Sequence, residues 1–356
     1  MQYIFNFVRY YSSMECIMFE REKTERFFEY ISRYREVVLL GHVNPDGDSI
    51  GSIKGMEDFL INNGLRAGCV VPNSYPDFLS FLDTEKNIQI YNKDKEEAKE
   101  TVKRAELIIC LDFNSFSRID ELGEITAASA APKVLIDHHT SPDTIFDLIF
   151  SDTAVSSTCE LVYLLLEELR RVHQSLAPLS HKGESALYTG IMTDTNVFSN
   201  SVRPATFRIA SELMERGVDK TAIQQIVFGG FSEQRMRLLG YMLHENMRII
   251  PEHKAAMMIL DNATKERFRF NTGDSEGFVN MGLNIKGIEI SALFTEDDGF
   301  VRVSLRSRGD FFVNEMAGLY FNGGGHKNAA GGRLYIPISQ VEAYFAEALE
   351  KYRHRI

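Results

Sequence analysis

Residues 41–48, with the sequence GHVNPDGD, combine one imidazole and two carboxylates, His42, Asp46 and Asp48, with turn-forming residues. The Asn, Pro and Gly residues favour a tight turn in which these three side chains can converge. An apolar run at 37–40 precedes the segment and a helical pattern follows it, so it lies where a strand would lead into a helix. Open α/β sheets bind ligands at such turns. Taken alone, the segment could equally be a polar turn that caps a helix.

Two more apolar runs, 107–111 and 134–136, end in possible metal ligands, which are Asp112, Asp137, His138 and His139. Asp194 follows a helical pattern of small residues at 186–192. Asp112 or Asp194 alone could be a helix cap, whereas adjacent histidines directly after a strand are seldom structural. In a βαβ arrangement the strand ends share one edge of a parallel sheet. The combined pattern therefore indicates one common site.

The charges of this predicted site indicate metal binding. Four carboxylates in one cleft repel one another, and their ionised forms are disfavoured without cations. Two divalent metal ions about 3.5–4 Å apart would balance them, bind a phosphate and acidify a bridging water. Mixed imidazole and carboxylate ligation favours Mn²⁺ over Mg²⁺, and Co, Fe or Zn would also fit. We therefore expect two divalent metal ions, with Mn²⁺ as the first candidate.

A glycine-rich segment at 322–332 predicts a second binding feature. Its bare backbone amides can form an anion-binding nest, and His326 and Lys327 add donors. Upstream, Arg302, Arg306 and Arg308 occupy alternating positions of a strand-like segment, so all three can lie on one face of it. These features favour a phosphate-binding pocket. The alternative is a flexible glycine turn beside a solvated basic strand.

Composition limits the functional classes. The chain has 356 residues, enough for two domains, and a formal net charge of −11, which argues against non-specific binding of long nucleic acid. Four cysteines form no CxxC pair, which fits buried thiols in a reducing cytoplasm better than a disulfide framework. We find neither a signal peptide nor an apolar segment of the roughly 20 residues that span a bilayer. A soluble cytoplasmic protein without membrane contact is expected.

Periodicity predicts an α/β fold with two domains. Helical patterns occur at 20–36, 50–60, 93–104, 156–172 and 204–227, the last with a break at Gly217, and strand-like segments dominate after residue 254. We expect an N-terminal extension at 1–18, disordered if Met18 is the natural start, and a parallel-sheet domain at 19–228. A linker helix at 229–250 and a smaller α/β domain at 251–356 would complete the chain.

These motifs together resemble those of the DHH/DHHA1 phosphoesterases. The residues that carry the resemblance are His42, Asp46, Asp48, Asp112, Asp137, His138, His139, Asp194 and the segment 323–326. The resemblance spans about 20–350 and is strongest to the bacterial oligoribonuclease and 3′-phosphoadenosine 5′-phosphate (PAP) phosphatase branch. It implies a Rossmann-like DHH domain, a linker helix and a smaller DHHA1 domain that closes over the cleft.

The resemblance also implies roles for individual residues. One metal would be held by His42, Asp46 and Asp112, and the other by Asp48, Asp112, His138 and Asp194. His139 would contact the scissile phosphate or protonate the leaving oxygen, with Asp137 orienting its neighbours. The residues implied to hold the terminal phosphate of the substrate are Arg306, Gly323, Gly324, Gly325, His326, Lys327 and Asn328.

The implied activity is metal-dependent hydrolysis of RNA fragments of a few nucleotides, including dinucleotides, and of PAP to AMP. Alternatives are a cyclic-dinucleotide phosphodiesterase, a RecJ-like single-strand exonuclease and a catalytically silent nucleotide-binding regulator. The expected partners are short single-stranded RNA and phosphorylated nucleotides, without long duplexes or membranes, and a homodimer remains open.

Overall fold

The computed structural model describes residues 19–353, so the expected N-terminal extension at 1–18 lies outside the described residues. The chain divides into two compact units between Gly229 and Gly230. Each unit is built around its own six-stranded sheet. The predicted α/β fold class is confirmed.

The first unit contains a fully parallel sheet with the strand order β3-β2-β1-β4-β5-β6. Its strands are β1 (Glu36–Leu40), β2 (Arg66–Val71), β3 (Ile88–Ile90), β4 (Leu107–Leu111), β5 (Lys133–Asp137) and β6 (Leu148–Ser151). This is the doubly wound order, in which the direction of winding reverses between β1 and β4. The crevice outside the carboxyl ends of those two strands is where such sheets bind ligands.

Helices cover both faces of this sheet. They are α1 (Arg21–Arg33), α2 (Gly47–Asn62), α3 (Lys95–Arg104), α4 (Glu121–Ala128), α5 (Thr158–Val172), α6 (His181–Asp194), α7 (Pro204–Glu215) and α8 (Lys220–Gly229). Val37 and Leu39 of β1 pack into the core formed with α1, α2, α5 and α6. Val38 and Leu40 point to the opposite face and pack with α3 and α4. The continuous apolar runs therefore reflect strands that are buried on both sides.

The second unit has a mixed sheet with the order β11-β12-β10-β9-β8-β7, in which only β8 and β9 pair in parallel. Its strands are β7 (Arg248–Ile250), β8 (Ala255–Leu260), β9 (Ile290–Asp297), β10 (Phe300–Ser307), β11 (Gly324–His326) and β12 (Ala329–Leu334). Its helices are α9 (Glu233–Tyr241), α10 (Asn262–Arg267), α11 (Phe278–Met281), α12 (Val313–Tyr320) and α13 (Val341–Arg353). Strand β10 alternates buried and half-buried residues, so it has one apolar and one polar face.

One element prediction needs correction. The continuous helix expected at 229–250 is shorter, because α9 ends at Tyr241, a π-helical turn follows over Met242–Asn246, and 248–250 pair as β7. The predicted break at Gly217 is confirmed, because this residue lies in a left-handed conformation between α7 and α8. Within residues 19–353, no helix is both long and apolar enough to cross a membrane.

Candidate active site

The predicted ligands of the first unit converge outside the carboxyl ends of β1, β4 and β5. The 41–48 turn follows β1, Asp112 follows β4, and the two histidines follow β5. These three strands are neighbours, since β4 pairs with both β1 and β5. The side chains therefore meet at the point where the winding of the sheet reverses, as the sequence pattern predicted.

Asp46 is both a helix cap and a member of the cluster. Its Oδ1 atom accepts hydrogen bonds from the backbone N–H groups of Asp48 and Ser49 at 3.0 and 3.1 Å, which starts α2. The same atom lies 3.9 Å from Nε2 of His42. The structural and chemical interpretations of this turn are therefore compatible.

Asp112 lies at the centre of the cluster and is buried. Its Oδ2 atom is 3.3 Å from Nε2 of His42, and its Oδ1 atom is 3.7 Å from Nε2 of His138. Its backbone has the left-handed φ of 65°, which is uncommon outside glycine but tolerated by aspartate. Because its two oxygens face two different histidines, Asp112 can be shared between two cations.

The donors form two groups that match a pair of cation sites. His42, Asp46 and Asp112 make one group, and Asp48, His138 and Asp194 make the other, with the ligand atoms of each group within 4.8 Å of one another. Nε2 of His138 lies 3.7 Å from Asp48 and 3.6 Å from Asp194. Each group combines one imidazole with two carboxylates, a donor set that suits a divalent transition metal.

The pKa values reflect this crowding of charge. Burial, reinforced by the negative charges of Asp48 and Asp46, raises the pKa of Asp112 well above its usual range. Burial also lowers the pKa of His42, and the Nδ1–H group of that residue donates to the carbonyl of Val43 at 2.8 Å. The ring is therefore neutral with Nε2 exposed to the cluster, which is the form that ligates metals.

His139 forms a dyad with Asp137. Its Nδ1 atom donates to Oδ1 of Asp137 at 2.7 Å, which fixes the ring and leaves Nε2 for other partners. Burial alone would raise the pKa of Asp137, but this hydrogen bond and the charge of His139 outweigh it and lower that pKa. A carboxylate held ionised in this way orients the imidazole and stabilises its protonated form.

Close helix packing brings Asp48 to the site. Gly190 of α6 leaves no room for a Cβ atom beside Sγ of Cys159 and Oδ1 of Asp48. Gly47 likewise lies against the side chain of Thr193 near the end of α6. These two glycines allow α2, α5 and α6 to approach closely enough to enclose Asp48.

Sequence analysis missed the part that α5 plays in the site. The backbone N–H groups of Thr158 and Cys159 donate to the two oxygens of Asp48 at 2.7 and 2.9 Å, and Oγ1 of Thr158 donates to Asp112 at 3.0 Å. The sequence analysis predicted only a helix in this region. The pattern STCE at 157–160 is a capping-box signal, and it marks this helix start without indicating which carboxylates the amides hold.

In the second unit, Arg306 and His326 lie in one row across three strands. Arg306 of β10 is opposite Ala329 of β12, and Ala329 is opposite His326 of β11. Directly opposed residues in antiparallel strands project from the same face. The small side chain of Ala329 therefore separates two groups that can bind an anion.

The glycine-rich segment is a β-hairpin. Gly324 and Gly325 belong to β11, and the N–H of Gly323 donates to the carbonyl of Ala317 at 3.1 Å. The amide nitrogen of Asn328 lies 2.9 Å from Oγ of Ser307 and 3.2 Å from the carbonyl of Gly309, so it cross-links the hairpin to the segment after β10. Nζ of Lys327 lies 3.6 Å from Asp310. The glycines therefore take part in backbone pairing, in addition to any contact with an anion.

Comparison with known proteins identifies the family. Residues 36–191 match the DHH family, N-terminal domain, and residues 255–354 match the DHHA1 domain. A Bacillus subtilis (strain 168) protein named bifunctional oligoribonuclease and PAP phosphatase NrnA is 30% identical over 317 residues, which are 88% of this chain and 93% of that protein. The chain belongs to the DHH family. It is a hydrolase that acts on phosphoric ester bonds.

Two further proteins are similar to this chain and carry different names. A solved structure of an exopolyphosphatase-related protein from Bacteroides fragilis matches with a TM-score of 0.86 and 38% identity, covering 94% of this chain and 98% of that one. The cyclic-di-AMP phosphodiesterase PdeA of Listeria monocytogenes is 25% identical over 91% of this chain and 49% of its own length. The proteins similar to this chain therefore differ in their named activities.

Proposed function

We propose that this DHH protein hydrolyses short RNA oligonucleotides, including dinucleotides, to mononucleotides, and PAP to AMP. The observation that carries the proposal is the pair of donor groups at the reversal point of the sheet, where Asp112 of one group also lies 3.7 Å from His138 of the other. The 30% identity to a relative named as an oligoribonuclease and PAP phosphatase supports this substrate class.

The residues present fit two divalent cations. Burial and the neighbouring carboxylates raise the pKa of Asp112. Bound cations would relieve the repulsion among these carboxylates. His42, Asp46 and Asp112 would hold one, and Asp48, His138 and Asp194, with Asp112 shared, would hold the other. When bound, such a pair supplies Lewis-acid stabilisation and an acidified water. Mixed imidazole and carboxylate donors favour Mn²⁺.

The remaining residues of the first unit would move the proton. His139, held by Asp137 through its Nδ1–H group, would donate a proton from Nε2 to the leaving oxygen. The ionised Asp137 would stabilise the protonated ring before that transfer. This step uses only the side chains of Asp137 and His139.

The second unit would hold the terminal phosphate of the substrate. Arg306 and His326 project from one face of the sheet and can supply cationic donors. Gly323, Gly324 and Gly325 would allow the phosphate to approach the backbone, and Lys327 and Asn328 would border it. A pocket for a terminal phosphate would explain a preference for very short chains.

Alternative substrates are judged by charge and by similarity. The net charge of −11 disfavours a RecJ-like enzyme acting on long single strands. The identity to the cyclic-di-AMP phosphodiesterase is lower, at 25%. A silent regulator would have no need for the full set of site residues. A cytoplasmic location, exclusion of long duplexes and a homodimer remain predictions.

One assay tests the proposal. Turnover is measured with Mn²⁺ on four substrates side by side: the dinucleotide pApA, PAP, cyclic di-AMP and a long single strand. We expect pApA and PAP to be hydrolysed and the long strand to be cleaved poorly. Efficient cleavage of cyclic di-AMP alone, or of the long strand in preference to pApA, would contradict the proposed substrates.

A further inference from the structure

Glu160 is a fully buried carboxylate in the first turn of α5 for which the proposed reaction has no use. Its Oε2 atom accepts hydrogen bonds from Oγ of Ser156 at 2.5 Å and from Oγ1 of Thr206 at 2.7 Å. Its Oε1 atom accepts from Nε of Arg203 at 2.9 Å. A buried charge of this kind persists only when it is paired and hydrogen-bonded, so Glu160 is a firm junction between α5 and the start of α7.

The first turn of α5 fixes two of the proposed cation ligands. Thr158 and Cys159 present their N–H groups to Asp48, and the hydroxyl of Thr158 donates to Asp112. Glu160 directly follows these residues, and its side chain also accepts from the backbone N–H of Ser156 at 3.2 Å. The position of these donors therefore depends on how Glu160 anchors the turn.

Glu160 also anchors the segment that leaves a third proposed ligand. Residues 195–203 connect Asp194, the last residue of α6, to Arg203, which precedes α7. Asn196, Val197 and Phe198 all have positive φ values, between 48° and 60°. Such a conformation is unfavourable for residues other than glycine and persists only where the surroundings enforce it, most of all for a β-branched valine.

Both ends of this strained segment are fastened. At the near end, Oγ1 of the buried Thr195 donates to the carbonyl of Ile191 at 2.6 Å and accepts from the N–H of Phe198 at 3.0 Å. At the far end, the guanidinium of Arg203 pairs with Glu160. Releasing the far end would let the segment relax and would move Asp194 at its other end.

We propose that Glu160 is a positioning residue that couples Asp48, Asp112 and Asp194, so that the cation pair binds to a preformed site. This inference rests on the cation site of the proposed function. Asp48 and Asp194 belong to one donor group, whereas the other group depends on Glu160 only through Asp112. Loss of Glu160 should therefore weaken the binding of one of the two cation equivalents more than the binding of the other.

The test is a titration of three proteins with Mn²⁺ alone: the wild type, Glu160→Gln and Arg203→Lys. Calorimetry and electron paramagnetic resonance measure the binding. In Glu160→Gln we expect the dissociation constant of the more affected equivalent to rise about 10–100-fold, as for other residues that orient metal ligands. Arg203→Lys keeps the charge but loses the fork geometry, so it should give a smaller rise in the same direction. If Glu160→Gln fails to fold, Arg203→Lys carries the test.

Glu212→Gln is the matched control. Glu212 of α7 accepts a hydrogen bond from the hydroxyl of Tyr163 of α5 at 2.8 Å, so it joins the same two helices away from the ligand-holding turn. All titrations are made at a temperature at which circular dichroism shows each variant folded. A purely structural role for Glu160 would lower its melting temperature and leave the dissociation constants unchanged.

The outcomes are distinct. Unchanged dissociation constants in Glu160→Gln and Arg203→Lys, or an equal rise in Glu212→Gln, would overturn the positioning role. Failure of the wild type and of Glu212→Gln to bind Mn²⁺ would overturn the cation site and this inference together. Weakening confined to Glu160→Gln and Arg203→Lys supports the inference, whichever nucleotide is the substrate.

Discussion

At the scale of single residues, Asp112 is a carboxylate enclosed by other carboxylates. It is buried, it faces several other carboxylates, and its pKa is raised as a consequence. The same oxygens lie near the imidazoles of both donor groups. A buried group in this setting is a functional candidate, because strongly perturbed pKa values cluster at functional sites.

The substitution Asp112→Asn removes the shared charge and keeps the shape of the side chain. We expect loss of measurable Mn²⁺ binding and a fall in turnover of about 10²–10³-fold, since several kcal/mol of charge stabilisation disappear. Metal content and circular dichroism are measured on the purified protein. Asp94→Asn, at an exposed position before α3, serves as the control and should retain full activity. Turnover retained in Asp112→Asn would remove Asp112 from the shared position.

The substitution Arg306→Ala tests the proposed phosphate site of the second unit. A hydrogen bond to a charged group is worth about 1.5–3 kcal/mol, so KM for pApA should rise about 10–150-fold with the metal content unchanged. Steady-state kinetics and metal analysis provide the measurement. Arg237→Ala, an exposed arginine of α9 paired with Glu233, is the control. Wild-type kinetics on pApA in Arg306→Ala would place the phosphate elsewhere.

At the scale of elements, the contact between α2, α5 and α6 determines whether Asp48 reaches the site. The two N–H groups at the start of α5 hold its carboxylate, and the positive end of the helix dipole favours the charge there. Gly190 makes the close approach of α6 possible. The three helices thus hold the turn after β1 in position.

Gly190→Ala should destabilise the protein by about 1–2 kcal/mol and weaken Mn²⁺ binding. A Cβ atom on Gly190 would overlap Sγ of Cys159, so the cost lies in the upper part of the overpacking range, at about 2–3 kcal/mol, and the better helix propensity of alanine returns about 1 kcal/mol. Urea unfolding measures the change. Gly240→Ala in α9 is the matched control, because nothing lies within 4 Å of the added Cβ atom, and it should be neutral or stabilising by about 0.5 kcal/mol. A neutral Gly190→Ala would show that α6 can shift without cost.

At the scale of the whole molecule, the chain carries two cores of different construction. The first unit is a parallel sheet covered by helices, and the second is a mixed sheet with a strand of alternating burial. Both proposed cation groups lie in the first unit, whereas Arg306 and His326 lie in the second. Cation binding should therefore stabilise the two units unequally.

Calorimetric unfolding of the full chain tests this expectation. At a free Mn²⁺ concentration of 100 times the dissociation constant, the first unit should gain about 2.7 kcal/mol for each cation bound, because a ligand that binds only the folded state stabilises it by mass action. Its transition should move to a higher temperature, and that of the second unit should not. Chelation should reverse the shift, and Asp112→Asn should show none. An equal shift of both transitions would contradict the assignment of the cations to one unit.

Much of the fold could be predicted from the sequence, because strands buried in a parallel sheet have continuous apolar sequences. The run at 107–111 coincides with β4, and the run at 134–136 lies within β5. The edge strand β6 and the helices α12 and α13 were not predicted, and the glycine-rich segment proved to be a hairpin. Short or weakly periodic elements depend on distant pairing, which a local pattern does not record.

For the site, the sequence by itself determined which side chains could bind cations, because their types and their positions after strands follow from local patterns. Only the tertiary structure decided their partners: the amides of α5 that hold Asp48, the hydroxyl of Thr158 on Asp112 and the pairing of Glu160 with Arg203. Glu160 was not identified as part of the site from sequence, since its carboxylate gains meaning only from groups more than 40 residues away along the chain. Contacts of that range are set by helix packing and by the strand order, which no local spacing specifies.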